Sequence, residues 1–205
     1  MSKLEFINNH MKNTKLKKEK LLMICNCFAE DLTAIETAKK VGLSRQTINS
    51  YYKIIRTYLI DQQNMSDSLY LSSCLNEDSL TIKYFIYNSN PIFYIQDGSR
   101  IYFINEENKI LNKLNQFINN TLKDLLINHK RANCARVLLN ANNNEYYVSS
   151  FLKSSNEVET FIINRLKKFR GINKTNYTTH IKESFIRHNY TQESFVNQLS
   201  NFFKL

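Results

Sequence analysis

Apolar residues near the start of the chain recur with a helical period. Leu21, Leu22, Ile24, Cys25 and Phe28 fall on one broad face between Lys17 and Glu30, which predicts an amphipathic helix. Thr33 stands where a cap for a second helix, Ala34–Val41, is needed, and Gly42 breaks that helix. Ser44 can cap a third, from Arg45 to about Leu59. Residues 61–73 are polar and Ser-rich, the composition of a linker. Beyond them the pattern turns to strands. Thr81–Tyr87, Ile92–Gln96 and Arg100–Ile104 are rich in β-branched and aromatic residues, and Asp97-Gly98-Ser99 signals a hairpin between the last two. Ile110–Ile127 returns to helical spacing through Leu111, Leu114, Ile118, Leu122 and Leu125. Ala135–Leu139 reads as a buried strand, Asn140–Asn144 as a loop and Tyr146–Phe151 as a weak strand. Val158–Phe169 is an amphipathic helix ended by Gly171, and Thr191–Phe203 is a last helical stretch. The expectation is an α/β (α+β) chain: a three-helix head over 1–60, a linker over 61–73, and a mixed body over 74–205.

The head carries the most specific signal. Ala38 is small where two helices would cross, Gly42 supplies the turn, and Val41, Leu43, Ile48 and Tyr51 can fill the core between them. This spacing is what a helix-turn-helix needs. On its third helix Arg45, Gln46, Asn49 and Lys53 would face outward, with the side-chain types that bond guanine and adenine edges. Ser44, Thr47, Ser50, Tyr52 and Arg56 would lie nearer the phosphates. The partner this predicts is double-stranded DNA.

Charge strengthens that picture. The net charge is +10, and it is segregated. Residues 1–60 hold 11 basic and 5 acidic side chains, residues 61–160 hold 9 and 11, and residues 161–205 hold 8 and 2. Basic ends around a near-neutral middle suit a polyanion. In the last third, Arg165, Lys167, Lys168 and Arg170 could track a DNA backbone, or form a solvated helix end. Glu183 and Arg187, one turn apart, could form a helix-supporting pair. The four cysteines, Cys25, Cys27, Cys74 and Cys134, form no CxxC pair, and the four histidines lack metal-ligand spacing. No apolar run is long enough to span a membrane, and no secretory signal is expected. A reduced cytoplasmic protein is the expectation.

With these elements in place, Phe28–Arg56 (FAEDLTAIETAKKVGLSRQTINSYYKIIR) resembles the N-terminal domain of small bacterial insertion-sequence transposases. Arg165–Ile172 (RLKKFRGI) and His180–Asn189 (HIKESFIRHN) resemble the closing motifs of the same DDE-type family. The resemblance implies a ribonuclease-H-like core with a mixed sheet. Such a core uses two Asp and a final Glu or Asn to hold Mg²⁺ or Mn²⁺, which activate water and then a 3′-hydroxyl. The matching positions here are Asn76, in LNEDSL, then Asn140 (or Asn142), then Asn156. Glu77, Asp78 and Glu159 stand nearby as alternative ligands, with Asp97 and Glu157, while a Lys expected after the third position falls at Ile163. A neutral Asn binds Mg²⁺ weakly, so the resemblance implies a degenerate core, its metal ligands unknown. Three readings follow: a transposase-related DNA-binding protein, an active transposase, or a transcriptional regulator whose body serves dimerisation in a homo-oligomer.

Overall fold

In the computed structural model the described residues are 16–74, 79–104, 124, 127–140, 145–169, 172 and 176–203. They form six helices and a five-stranded antiparallel sheet, a mixed α/β architecture. The helices are α1 (Lys18–Ala29), α2 (Ala34–Val41), α3 (Arg45–Cys74), α4 (Glu157–Lys168), α5 (Tyr177–Asn189) and α6 (Gln192–Phe203). The strands are β1 (Ser79–Tyr87), β2 (Asn90–Asp97), β3 (Arg100–Phe103), β4 (Cys134–Asn140) and β5 (Glu145–Leu152). The chain divides into two compact units, Met1–Gln62 with Tyr190–Leu205, and Gln63–Asn189.

The first unit is helical. Leu21, Ile24, Cys25 and Phe28 bury the face of α1 expected from their spacing, whereas Leu22 is 39% exposed. Ile48, Tyr51, Tyr52, Ile55 and Leu59 bury the inner face of α3. α1 packs against both α2 and α6. Phe195 and Leu199 of α6 are buried, and Phe202 stacks on Tyr58 at 3.8 Å between centroids. The C-terminal helix, expected with the body, therefore belongs to the N-terminal unit. Its apolar stripe needs a partner, and α1 supplies one.

The second unit is built on the sheet, in the order β3-β2-β1-β4-β5. Alternation along each strand sends side chains to opposite faces. One face carries Leu80, Ile82, Tyr84, Phe93, Ile95, Tyr102, Ala135 and Val137, and the end of α3 covers it through Leu71 and Tyr70. Tyr70 stacks on Tyr102 at 3.8 Å. The other face carries Phe85, Ile92, Tyr94 and Ile101 against Val158, Ile162 and Leu166 of α4 and Ile181 and Phe185 of α5. Asn88 and Ser89 turn β1 into β2, both at positive φ, as a two-residue hairpin loop requires. Gly98 supplies the positive φ between β2 and β3, at the expected turn.

Two expectations are corrected. The polar stretch 61–73 is not a linker but part of α3, which runs unbroken to Cys74. It holds neither Pro nor Gly, and Gln63, Asp67 and Leu71, spaced four apart, bury one stripe. Polar composition misled because the stripe is narrow and partly polar. The sheet, expected to be mixed, pairs antiparallel throughout. Only four residues separate β4 from β5, and a parallel partner needs a crossover of a dozen or more. The expected helix Ile110–Ile127 lies almost wholly outside the described residues.

Candidate functional site

α2 begins at a capping box. Thr33 Oγ1 accepts from the Glu36 N–H at 3.3 Å, and Glu36 Oε2 accepts from the Thr33 N–H at 2.7 Å. Lys39 and Lys40 in its last turn complement the helix dipole. The helix stops at Gly42, whose φ of 69° is left-handed. The Gly42 and Leu43 N–H groups both donate to the Ala38 carbonyl, at 3.0 and 3.2 Å. A Cβ at Gly42 would meet nothing within 4 Å, so the glycine is needed for its φ and not for space.

Two residues later Ser44 starts α3. Its Oγ accepts from the Thr47 N–H at 3.1 Å and shares a 2.8 Å hydrogen bond with the Thr47 hydroxyl. Ile48 is fully buried one turn on, and Tyr51 is 7% exposed. Across from them Val41 is buried and Leu43 half-buried. α2 and α3 are joined by a polar contact. Thr37, fully buried, shares a 2.6 Å hydrogen bond with the Tyr52 hydroxyl. Ala38, expected at the crossing, is half-buried beside it. Nothing in the hydrophobic pattern marks Thr37, which is why sequence reasoning missed it.

This packing leaves one side of α3 in solvent. Arg45, Gln46, Asn49, Ser50 and Lys53 are exposed, as is Ser44. Positions 45, 46, 49, 50 and 53 lie in one band along the first two and a half turns. The Ser50 hydroxyl donates to the Gln46 carbonyl at 3.1 Å. Two residues expected beside phosphates are differently placed. Tyr52 is 2% exposed and packs edge-on against Phe28 at 5.0 Å, so its hydroxyl is a core group. Arg56 is half-buried, with its guanidinium 5.8 Å from the Phe28 ring centroid and 5.7 Å from that of Tyr52. An aromatic face attracts that cation and holds it against the helix.

Several of the positions implied for metal binding lie outside the described residues. Asn76, Glu77, Asp78 and Asn142 lie outside them. Asn140 ends β4, and its side chain also lies outside. Asn156 is the exposed residue before α4, and its Oδ1 accepts from Asn133 Nδ2 at 2.7 Å. Buried Asn133 also accepts from the Ser154 N–H at 2.7 Å and donates to the Ser154 carbonyl at 3.1 Å, so it ties the start of β4 to the start of α4. Asp97 and Glu157 are exposed and Glu159 half-buried, while Ile163 packs against the sheet. No three His, Cys, Asp or Glu among the described residues are grouped as a metal site.

The basic cluster on α4 divides. Lys167 and Lys168 are exposed, and Arg170 lies outside the described residues. Arg165 is buried and cannot track a backbone. It donates to Glu183 Oε1 at 2.6 Å and to the Ser184 hydroxyl at 2.8 Å. Arg187 Nε donates to the same Glu183 oxygen at 2.8 Å. The pair Glu183–Arg187, legible from its spacing, is thus part of a buried α4–α5 network that also holds Arg165.

Among the described residues no helix is long and apolar enough to cross a membrane. No protein-family model, no curated protein and no solved structure matches this chain.

Proposed function

We propose that this chain is a sequence-specific DNA-binding protein, with α2 and α3 acting as a helix-turn-helix and the start of α3 entering the major groove. The observation that carries the reading is the division of α3. Its inner face is locked by Ile48, Tyr51 and Tyr52, while Arg45, Gln46, Asn49 and Lys53 stand together in solvent. A rigid back and a polar, basic front are what base-edge reading requires. Arg45 suits a guanine edge, and Gln46 and Asn49 suit adenine edges. Ser44, Thr47, Ser50 and Lys53 take the flanking phosphates, with Lys39 and Lys40 of α2 adding positive charge.

The resemblance in Phe28–Arg56 and in the two C-terminal motifs supports a target among the ends of insertion sequences. Strand cleavage is outside the proposal. All three metal positions implied by the resemblance hold Asn, and at two of them, 76 and 140, it stands where the family has Asp, so no charge offsets Mg²⁺ there.

Selection of bound duplexes from a random pool by the full chain tests the reading. An enriched motif of a few base pairs is expected. On that motif Arg45→Ala or Asn49→Ala should weaken binding by about 1–3 kcal/mol and relax the preference at one position. A pool that stays random, or variants that bind the motif as the parent does, would sink it. A nicking assay with Mn²⁺ on the same DNA separates binding from catalysis.

A further inference from the structure

The two edges of the sheet end differently. β3 is four residues long, and Asn189 closes it. The Asn189 carboxamide accepts from the Ile101 N–H at 2.8 Å and donates to the Ile101 carbonyl at 2.7 Å. A neighbouring strand would make the same two bonds, so one side chain terminates the ladder. β5, at the other edge, has eight residues. Among the described residues nothing caps its outer side in this way.

Between Glu145 and Lys153 the sequence of β5 carries little besides a bulge to blunt that edge. Residues 146–152 (YYVSSFL) contain no charge, no Pro and no Gly. Tyr147 and Leu152 are 49% and 45% exposed, and no described side chain of β5 is buried. Edge strands of this length ordinarily carry a Lys, a Pro or a cover. The one interruption is a bulge. Ser150 pairs with Arg136 and Val148 with Val137, which leaves Ser149 as the extra residue, its hydroxyl donating to the Arg136 carbonyl at 3.1 Å.

We propose that β5 pairs antiparallel with β5 of a second copy of this chain, joining two five-stranded sheets into one. An antiparallel pair of identical strands is self-complementary about a twofold axis. The charges at the two ends of β5 select the register. With Ser149 on the axis, Tyr147 falls opposite Phe151 of the second copy. The acidic position 145 then falls opposite the basic position 153, and the match occurs twice. Lys153 is exposed just after the strand. The bulge lies on the axis and divides each edge into two runs, 145–148 and 150–153, so each run meets the other run of the second copy. An unrelated peptide could add to the same edge but would not have this matched pair of ends.

Sedimentation velocity on the full chain without DNA tests the proposal apart from any DNA binding. A monomer–dimer equilibrium is expected across the micromolar range. Lys153→Glu should raise the dimer Kd about tenfold, and adding Glu145→Lys should restore it. Tyr147→Lys with Ser149→Lys should give a folded monomer, judged by an unchanged circular dichroism spectrum. A parent that stays monomeric throughout overturns the proposal. So does a dimer indifferent to the edge lysines, or one in which the reversed charge pair fails to rescue.

Discussion

Asp67 shows how one side chain can set a pH dependence. It lies on the buried stripe of α3, and loss of hydration raises its carboxyl to about 6, with the Gln63 hydrogen bond and the Arg100 charge working in the opposite sense. A folded-state value above the ordinary 3.8 means that the folded chain binds this proton more tightly than the unfolded chain. Stability from this group is therefore fully present below pH 4 and is lost as the pH rises through 6. That difference corresponds to roughly 2–3 kcal/mol. Asp67→Asn should raise the urea midpoint at pH 8, change it little at pH 4, and flatten the profile between. A midpoint that falls equally at both pH values would mean that the carboxylate is paired in the folded chain. At this scale the sequence was readable where it specified geometry. Gly42, Gly98 and the capping Thr33 each state a backbone requirement. It was not readable where a polar group is buried by its partner. Thr37, Tyr52 and Arg165 look like surface residues until the element opposite each is known.

Elements followed their periodicity closely wherever one period held. α2 runs over the residues its cap and its glycine delimit, and β1, β2 and β3 lie within a few residues of their expected bounds. α3 departs from its expected end because its second half buries a stripe in which Gln63 and Asp67 replace apolar residues. α4 and α5 depend on each other through charge. Glu183 is 1% exposed and receives both Arg165 and Arg187. Removing one partner of a buried pair leaves the other uncompensated, which costs about 3–5 kcal/mol. Glu183→Gln should accordingly lower the urea midpoint sharply, because two buried guanidiniums would face a neutral amide. An unchanged midpoint would show that the network fixes geometry without adding stability.

For the whole molecule, each unit has its own core, and the first draws on both ends of the chain. Its dependence on α6 is testable in the intact chain. Leu199 is fully buried, and Leu199→Ala should destabilise the unit by about 2–5 kcal/mol. Hydrogen exchange should then quicken in α1 and in the first half of α3. If only α6 loses protection, the N-terminal helices stand without it. The sequence did not reveal this arrangement, because the affinity of a C-terminal stripe for an N-terminal one leaves no mark in local spacing. The proposed recognition residues were readable for the opposite reason. Their exposure follows from the burial of their neighbours one turn away.

The discontinuity of the first unit also has a temporal side. Residues 63–189 are contiguous and can close their sheet as they emerge from the ribosome. The residues up to 62 emerge first but lack α6 until position 203 has appeared. At about 5–20 residues per second that delay is on the order of ten seconds. During it the part of α1 that packs against α6 stays uncovered. The unit synthesised first is completed last, so a ribosome stalled within the body would carry a chain whose N-terminal helices are open to other contacts.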